Sequence, residues 1–167
     1  MLLIAVAAAG CSLTGKTIKK DGAVGDTLTG THGLAVTLVH YNRRTPKVER
    51  DVTGLASAPK GTRFVGFEVK VCVGDAGLPT ISERNFTVDL ANGGEAEQKF
   101  PQTVYPDDLN LVGEEGCEQG HIVFIVPRGD RPTDLKFDLD YSKPTPSNSG
   151  SSSSKTKIRF TWALQPQ

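Results

Sequence analysis

The sequence predicts an all-β protein built as an antiparallel β-sandwich of about eight strands. Apolar and polar residues alternate at the period of a β-strand in short segments separated by glycine, proline and asparagine turns. No segment has the apolar spacing of an amphipathic helix, and no internal repeat is present. Many short strands joined by turns are typical of two sheets that bury one face each.

Two segments are predicted to be the central strands, residues 62–73 and 117–127. In the second, Ile122, Phe124 and Val126 alternate with the residues between them, and a Pro-Arg-Gly turn follows. In the first, every second residue from Val65 to Val73 shares one apolar face, so Phe64 is expected on the outer face. The other expected core residues are Leu34, Val36, Leu38, Phe86, Val88, Leu90, Leu135, Phe137, Leu139, Tyr141, Ile158, Phe160, Trp162 and Leu164. The same alternation places His40 on the buried side of its strand and Tyr41 on the outer side.

Length and charge restrict the classes of function. The 167 residues suit one domain, and 19 basic residues balance 19 acidic ones. A chain without net charge has no global field to attract a nucleic acid, so no nucleic-acid partner is predicted.

The first eleven residues predict a lipid anchor. Residues 1–10 are apolar and end in small side chains, and Ala8-Ala9-Gly10-Cys11 resembles a bacterial lipobox, in which the peptidase cuts before the cysteine that carries the lipid. The alternative is an apolar N-terminus with an incidental cysteine, since no Lys or Arg precedes Cys11. The lipobox interpretation predicts a protein at the extracellular face of the cell membrane, with the membrane as a partner.

The expected domain organisation has three parts. Residues 1–10 form a lipoprotein signal segment, and residues 11–24 comprise the lipidated cysteine and a flexible stalk poor in apolar side chains. Residues 25–167 form the sandwich, and a Ser-rich insert at residues 142–156 is expected to be mobile.

The two remaining cysteines, Cys72 and Cys117, are expected to form a disulfide, because an exported protein meets an oxidising environment. Both are out of phase with the apolar residues of their strands. If the strands are antiparallel neighbours, the bond lies on an outer face within one sheet, unlike the inter-sheet bond of antibody domains.

Several pieces of the chain resemble a known family. They are Gly25-Asp26-Thr27, the turn 59–61 leading into residues 64–69, the strand and turn 120–129, and Trp162 near the end. In their order and spacing they resemble the immunoglobulin-like domains of unknown function found in exported lipoproteins of Gram-positive bacteria, which are related in fold to secreted immunogenic proteins of mycobacteria. The resemblance implies an immunoglobulin-like sandwich and an envelope location, and it transfers no catalytic residues.

The sequence contains no catalytic or metal-binding motif. There is no G-x-S-x-G elbow or phosphate loop, and His32, His40 and His121 lie in separate segments without zinc-binding spacing. We therefore predict a non-enzymatic interaction domain with no cofactor and no metal, which contacts an extracellular protein or glycan. The alternative is an enzyme or a ligand- or metal-binding protein whose site assembles from dispersed residues. One such set is the acidic group Asp107, Asp108, Glu114, Glu115 and Glu118, whose oxygens would suit calcium, but no EF-hand spacing is present and solvated surface carboxylates are the favoured interpretation.

Overall fold

The structure is a computed structural model that describes residues 15–43, 58–74, 78–99, 110–111, 115–142 and 155–164. These residues form eleven β-strands and one short 3₁₀ turn, Glu83–Asn85. The strands are β1 Lys16–Ala23, β2 Thr27–Thr29, β3 Ala35–Asn42, β4 Thr62–Val73, β5 Ile81–Ser82, β6 Phe86–Leu90, β7 Glu97–Lys99, β8 Asn110–Leu111, β9 Gly116–Pro127, β10 Pro132–Ser142 and β11 Lys155–Ala163.

The strands form two main sheets, which confirms the predicted all-β sandwich. One sheet has four strands in the order β1-β11-β10-β6, and the other has five in the order β2-β3-β4-β9-β7. Strands β5 and β8 make a separate two-stranded ladder. The pairing is antiparallel throughout these ladders except for β1, which runs parallel to β11.

The central ladder of the five-stranded sheet joins the two strands with the strongest alternation. Strands β4 and β9 pair over twelve residues each, from Thr62 opposite Pro127 to Val73 opposite Gly116. Because the side-chain period of a strand is two, this register places Val65 and Phe124 on one face, toward the other sheet. Both are fully or almost fully buried, as predicted.

One apolar cluster fills the space between the two main sheets, and it contains the predicted core. Aromatic side chains extend through it as a chain of contacts. Phe86 lies 5.1 Å from Phe137, Phe137 lies 5.8 Å from Phe160, and Phe160 meets Trp162 edge-on at 6.1 Å between ring centroids. Tyr141 is only partly buried and packs against the margin of this apolar cluster. The fully buried large residues are Trp162, Phe67, Phe86, Phe124, Phe137, Phe160, Leu34, Leu38, Ile81, Ile122, Leu135 and Ile158.

The expected stalk is wrong from residue 16 onward, because Lys16–Ala23 forms the edge strand β1 and pairs along its whole length with β11. An edge strand is held by main-chain hydrogen bonds and needs few apolar side chains. Only Ile18, opposite Ile158, packs against the core. The strand ends where the Asp26 carboxylate accepts a hydrogen bond from the main-chain N–H of Ala23 at 2.8 Å.

The described domain therefore begins before residue 25, and the Ser-rich insert is narrower than predicted. Strand β10 continues to Ser142 and β11 begins at Lys155, so the ends of the segment 142–156 belong to the sheet. Cross-strand pairing extends the ladder this far, since Ser142 lies opposite Lys155. Residues 143–154 and 11–14 lie outside the described residues.

The expected orientations of His40 and Tyr41 are also wrong. The register between β3 and β4 shifts between Leu38 and His40, which is the signature of a β-bulge. The extra residue, Val39, reverses the alternation beyond it. His40 is exposed, and Tyr41 is 8% exposed and stacks on Phe67 at 5.0 Å.

Phe64 lies on the outer face, as parity requires, yet it is only 5% exposed. It forms a second small apolar cluster with Val123 and Ile125, against which Ala58 packs. The two strands with the longest apolar runs thus bury side chains on both faces. A simple expectation of one apolar and one polar face does not hold for them.

The sandwich has two ends that differ in composition. We call the end at which β1 begins the proximal end. It includes Thr31, whose hydroxyl shares a 2.7 Å hydrogen bond with the hydroxyl of Tyr141, and His32, whose ring meets the Tyr141 ring edge-on. The distal end is the opposite end, where β1, β3, β9 and β11 all finish.

Candidate functional site

The distal end contains a cavity lined by three arginine side chains. Its volume is about 200 Å³. The walls come from the end of β3, the start of β4, the turn into β10 and the residue after β11, so both main sheets contribute. The lining residues are Tyr41, Arg43, Arg63, Arg131, Pro132, Thr133 and Leu164.

Arg63 occupies an inward position at the start of β4, in phase with Val65 and Phe67. A long charged side chain is tolerated there because the end of the sheet lets its guanidinium reach past the core. Its two terminal nitrogens donate hydrogen bonds to main-chain carbonyls, Nη1 to that of Arg43 at 3.2 Å and Nη2 to that of Asp130 at 3.0 Å. Neutral partners from two different connections thus fix the position of the cation.

Two buried polar atoms at this end have no hydrogen-bond partner. They are Nε of Arg63 and Oδ2 of Asp130. The other carboxylate oxygen of Asp130 accepts a hydrogen bond from the main-chain N–H of Arg131 at 2.8 Å. An unpartnered buried polar group costs about 1–3 kcal/mol, and native structures contain few of them.

Tyr41 contributes a hydroxyl group that stays protonated. Burial raises its pKa above the ordinary value for tyrosine, and this effect outweighs the opposing charges of Arg63 and Arg43 and a hydrogen bond from the Arg43 side chain. The hydroxyl is therefore neutral at physiological pH. It does not add negative charge to the cavity.

The turn that carries Arg131 is fixed by main-chain hydrogen bonds on both sides. Arg128 donates its N–H to the carbonyl of Gly61 at 2.9 Å, and Asp130 donates to the carbonyl of Pro127 at 3.0 Å. The carbonyl of Arg131 accepts from the N–H of Ala91 at 3.0 Å. The arginine cavity is therefore built on positioned main chain.

The opposite wall of the cavity is apolar. Leu164 is 6% exposed, and its N–H donates to the carbonyl of Thr133 at 2.8 Å, which closes the end of the four-stranded sheet. Pro132 is also buried. The cavity therefore combines cationic groups with an apolar wall.

The predicted disulfide lies toward the other end of the molecule. Cys72 and Cys117 face each other directly across β4 and β9, with their sulfurs bonded and their Cα atoms 4.0 Å apart. Cys72 is half-buried and Cys117 is exposed on the outward face of the sheet. The bond thus links neighbouring strands of one sheet, as parity indicates.

The structure does not bring the other sequence candidates together as a site. Cys11 lies outside the described residues, and its lipidation stays a prediction. His40, Glu68 and His121 lie side by side on the outward face, where Gln119 donates to a Glu68 carboxylate oxygen at 2.6 Å. In the described part of the chain, no group of three His, Cys, Asp or Glu side chains is placed to hold a metal ion.

The acidic residues considered as calcium ligands in the alternative do not all lie within the described part of the chain. Asp107, Asp108 and Glu114 lie outside the described residues, while Glu115 and Glu118 are exposed. Within the described ranges, no helix is long and apolar enough to cross a membrane.

The sequence does not reveal the arginine cavity. Arg43, Arg63 and Arg131 are separated by many residues, and only the pairing of both sheets brings them to one end. One signal was present. Arg63 shares the parity of the core residues in β4, and a charge at an inward position of a strong strand is unusual enough to suggest a role.

No family model matches this chain, and no curated protein matches it. Among solved structures, it is similar to MPT63, a secreted protein from Mycobacterium tuberculosis, with a TM-score of 0.54 and 17% identity. That match covers 87% of this chain and 98% of MPT63. At this identity the likeness shows the fold alone, a β-sandwich shared over nearly the whole of both chains.

Two other solved structures show weaker likeness. YcdA of Bacillus subtilis, described as a candidate lipoprotein, gives a TM-score of 0.45 at 11% identity over 78% of this chain. The chain spans 36% of that structure's length. An uncharacterized β-sandwich protein from Clostridium difficile gives 0.41 at 9% identity, covering 87% of this chain and 97% of the other.

Proposed function

We propose that this protein is an exported, non-enzymatic interaction domain, held at the extracellular face of the cell membrane by a lipid on Cys11. Its partner is an extracellular protein or ligand. The observation that carries the proposal is the position of β1, whose first residue, Lys16, lies at the end of the sandwich opposite the arginine cavity.

Chain geometry supports this arrangement. Cys11 precedes the start of β1 by five residues, and five extended residues span at most about 18 Å. The eight residues of β1 then rise about 23 Å alongside β11 toward the distal end. A lipid on Cys11 would therefore keep the proximal end near the membrane and direct the arginine cavity away from it.

The disulfide supports export. Disulfides persist in oxidising compartments and are uncommon where thiols are kept reduced. The Cys72–Cys117 bond uses both cysteines of the domain, which leaves Cys11 as the third cysteine and the candidate for acylation. The fold shared with a secreted mycobacterial protein is consistent with the same location.

A binding role rather than a catalytic one is favoured by the chemistry of the cavity. Its charged lining residues are arginines, whose guanidiniums carry hydrogen-bond donors and no acceptor, and burial raises the pKa of its Tyr41 hydroxyl. Such groups donate hydrogen bonds to an anion and are poor general bases. The cavity also favours one form of the alternative function, that of a ligand-binding protein whose site is assembled from dispersed residues.

Expression in a Gram-positive host tests the anchor. We expect the mature protein to begin at Cys11, to carry diacylglycerol and to fractionate with membranes, because the lipobox supplies the cleavage and acylation site. Mass spectrometry of the purified protein measures this directly. The variant Cys11→Ser should remain unprocessed, while Ser12→Ala serves as a matched control and should be acylated. An unmodified Cys11 in a full-length chain would contradict the proposal.

A further inference from the structure

We propose that the arginine cavity at the distal end binds the oxyanion group, a carboxylate or a phosphate, of a small organic ligand. The inference rests on the proposed function and assigns a chemistry to its recognition site. Three arginines from separate segments line one cavity of about 200 Å³. Arg43 follows β3, Arg63 lies at the start of β4 and Arg131 precedes β10, so local sequence alone does not force them together.

Like charges gathered in one cavity repel each other, and the repulsion is stronger where the surroundings are partly desolvated. Asp130 lies beside Arg63, and one of its carboxylate oxygens already accepts a main-chain hydrogen bond. Arg63 donates its terminal nitrogens to carbonyl oxygens. The charged residues of the described cavity lining are therefore all cationic, and a bound anion would relieve their repulsion.

The geometry of arginine fits oxyanions in particular. A guanidinium presents its N–H groups in a planar fork that matches two oxygens of a carboxylate or phosphate. Carbonyls from two connections hold the Arg63 guanidinium in place before any ligand binds, so little entropy is lost on binding. The Tyr41 hydroxyl adds a neutral donor beside it.

The size and walls of the cavity limit the rest of the ligand. Sites for drug-sized molecules usually measure about 300–1,000 Å³, so this cavity suits a smaller group. Pro132 and Leu164 provide an apolar wall beside the arginines. The site fits an anionic headgroup or terminal group that carries a short apolar segment.

Two probes separate the sources of such an oxyanion. The full chain is titrated with inorganic phosphate and, separately, with butyrate, each at constant ionic strength set with chloride, and main-chain amide resonances are followed by NMR. We expect saturable shifts at residues of the cavity with at least one probe. Saturation by phosphate alone, by butyrate alone or by both supports the proposal and identifies the preferred oxyanion. The absence of saturation with both probes would overturn it.

Variants test whether the arginines bind the probe. Loss of a charge-assisted hydrogen bond should weaken binding about tenfold or more in Arg63→Gln, and Arg131→Gln should weaken it several-fold. Because Arg63 also holds two main-chain carbonyls, Arg131→Gln, which changes an exposed residue, is the second variant if the first does not fold.

The matched control is Arg128→Gln, which removes an equal charge from the same turn outside the cavity lining. Its affinity should be unchanged. An equal loss in Arg128→Gln and Arg131→Gln would show a response to net charge and would overturn the assignment of the site. Failure here would leave the acylation of Cys11 and the membrane location untouched, because those are measured separately.

Discussion

Replacing both Cys72 and Cys117 with alanine should lower the free energy of unfolding by about 4 kcal/mol. The bond closes a loop with a sequence separation of 45 residues. In the chain-entropy model, a link of this length lowers the entropy of the unfolded chain and so raises the free energy of unfolding by about 4 kcal/mol. Typical domains have only about 5–15 kcal/mol in total. The double variant should therefore fold, with a much lower midpoint in denaturant.

The native ladder should survive this change. The β4–β9 pairing extends over twelve residues on each strand, and the disulfide occupies one cross-strand pair near its end on the outward face. The loss should appear mainly through a more expanded unfolded state. A suitable control is Lys70→Ala with Gln119→Ala, the next outward pair along the same two strands, which should change stability much less. Equal midpoints for the double-cysteine variant and the parent would contradict this account.

Truncation of Trp162 should have an effect of similar size, about 3–5 kcal/mol for Trp162→Ala. The side chain is fully buried, lies edge-on against Phe160, and belongs to an inner strand of the four-stranded sheet, opposite Leu135. Removing the indole leaves a large void in a close-packed core. The measurement is denaturant unfolding followed by circular dichroism, since the variant lacks the chain's only tryptophan.

The contribution of the Trp162 hydrogen bond can be measured separately from that of its buried volume. Nε1 of Trp162 donates a hydrogen bond to the main-chain carbonyl of Asp26 at 3.1 Å. Trp162→Phe keeps an aromatic ring but leaves that carbonyl without the indole donor, so it should cost less than the alanine variant, about 1–3 kcal/mol. Val39→Ala changes an exposed apolar residue and should have little effect. An unchanged midpoint for Trp162→Ala would show that the residue is not a core element.

The strands that could be predicted from sequence are those that bury the side chains of one face and expose those of the other. In β10 and β11, apolar residues alternate without interruption, and Leu135, Phe137 and Leu139 lie opposite the buried residues Trp162, Phe160 and Ile158. The opposite charges on the outer faces of these two strands also predict their pairing, since Asp138 forms an ion pair with Arg159 and Asp140 forms one with Lys157. Period-two alternation is sufficient where one face is core and the other is solvent.

The errors arose where main-chain pairing or local irregularity determines the structure. Strand β1 is held by its hydrogen bonds to β11, and a polar edge strand looks like a linker in sequence. The bulge at Val39 reverses the orientation of Tyr41, and the residue type at this position does not predict a bulge. The cavity residues Arg43 and Arg131 are far apart in sequence and meet only because the two sheets end together.

We propose that the two ends of the sandwich have different roles, with the proximal end at the membrane and the arginine cavity away from it. The most direct test of this arrangement uses the acylated protein in vesicles that carry a headgroup quencher. A fluorescent amino acid is placed either at Ser142 on the proximal end or at Gly129 in the distal turn. Both positions are exposed, and a side chain at Gly129 would meet no atom within 4 Å. We expect strong quenching at Ser142 and weak quenching at Gly129; equal quenching at both, or stronger quenching at Gly129, would contradict the claim.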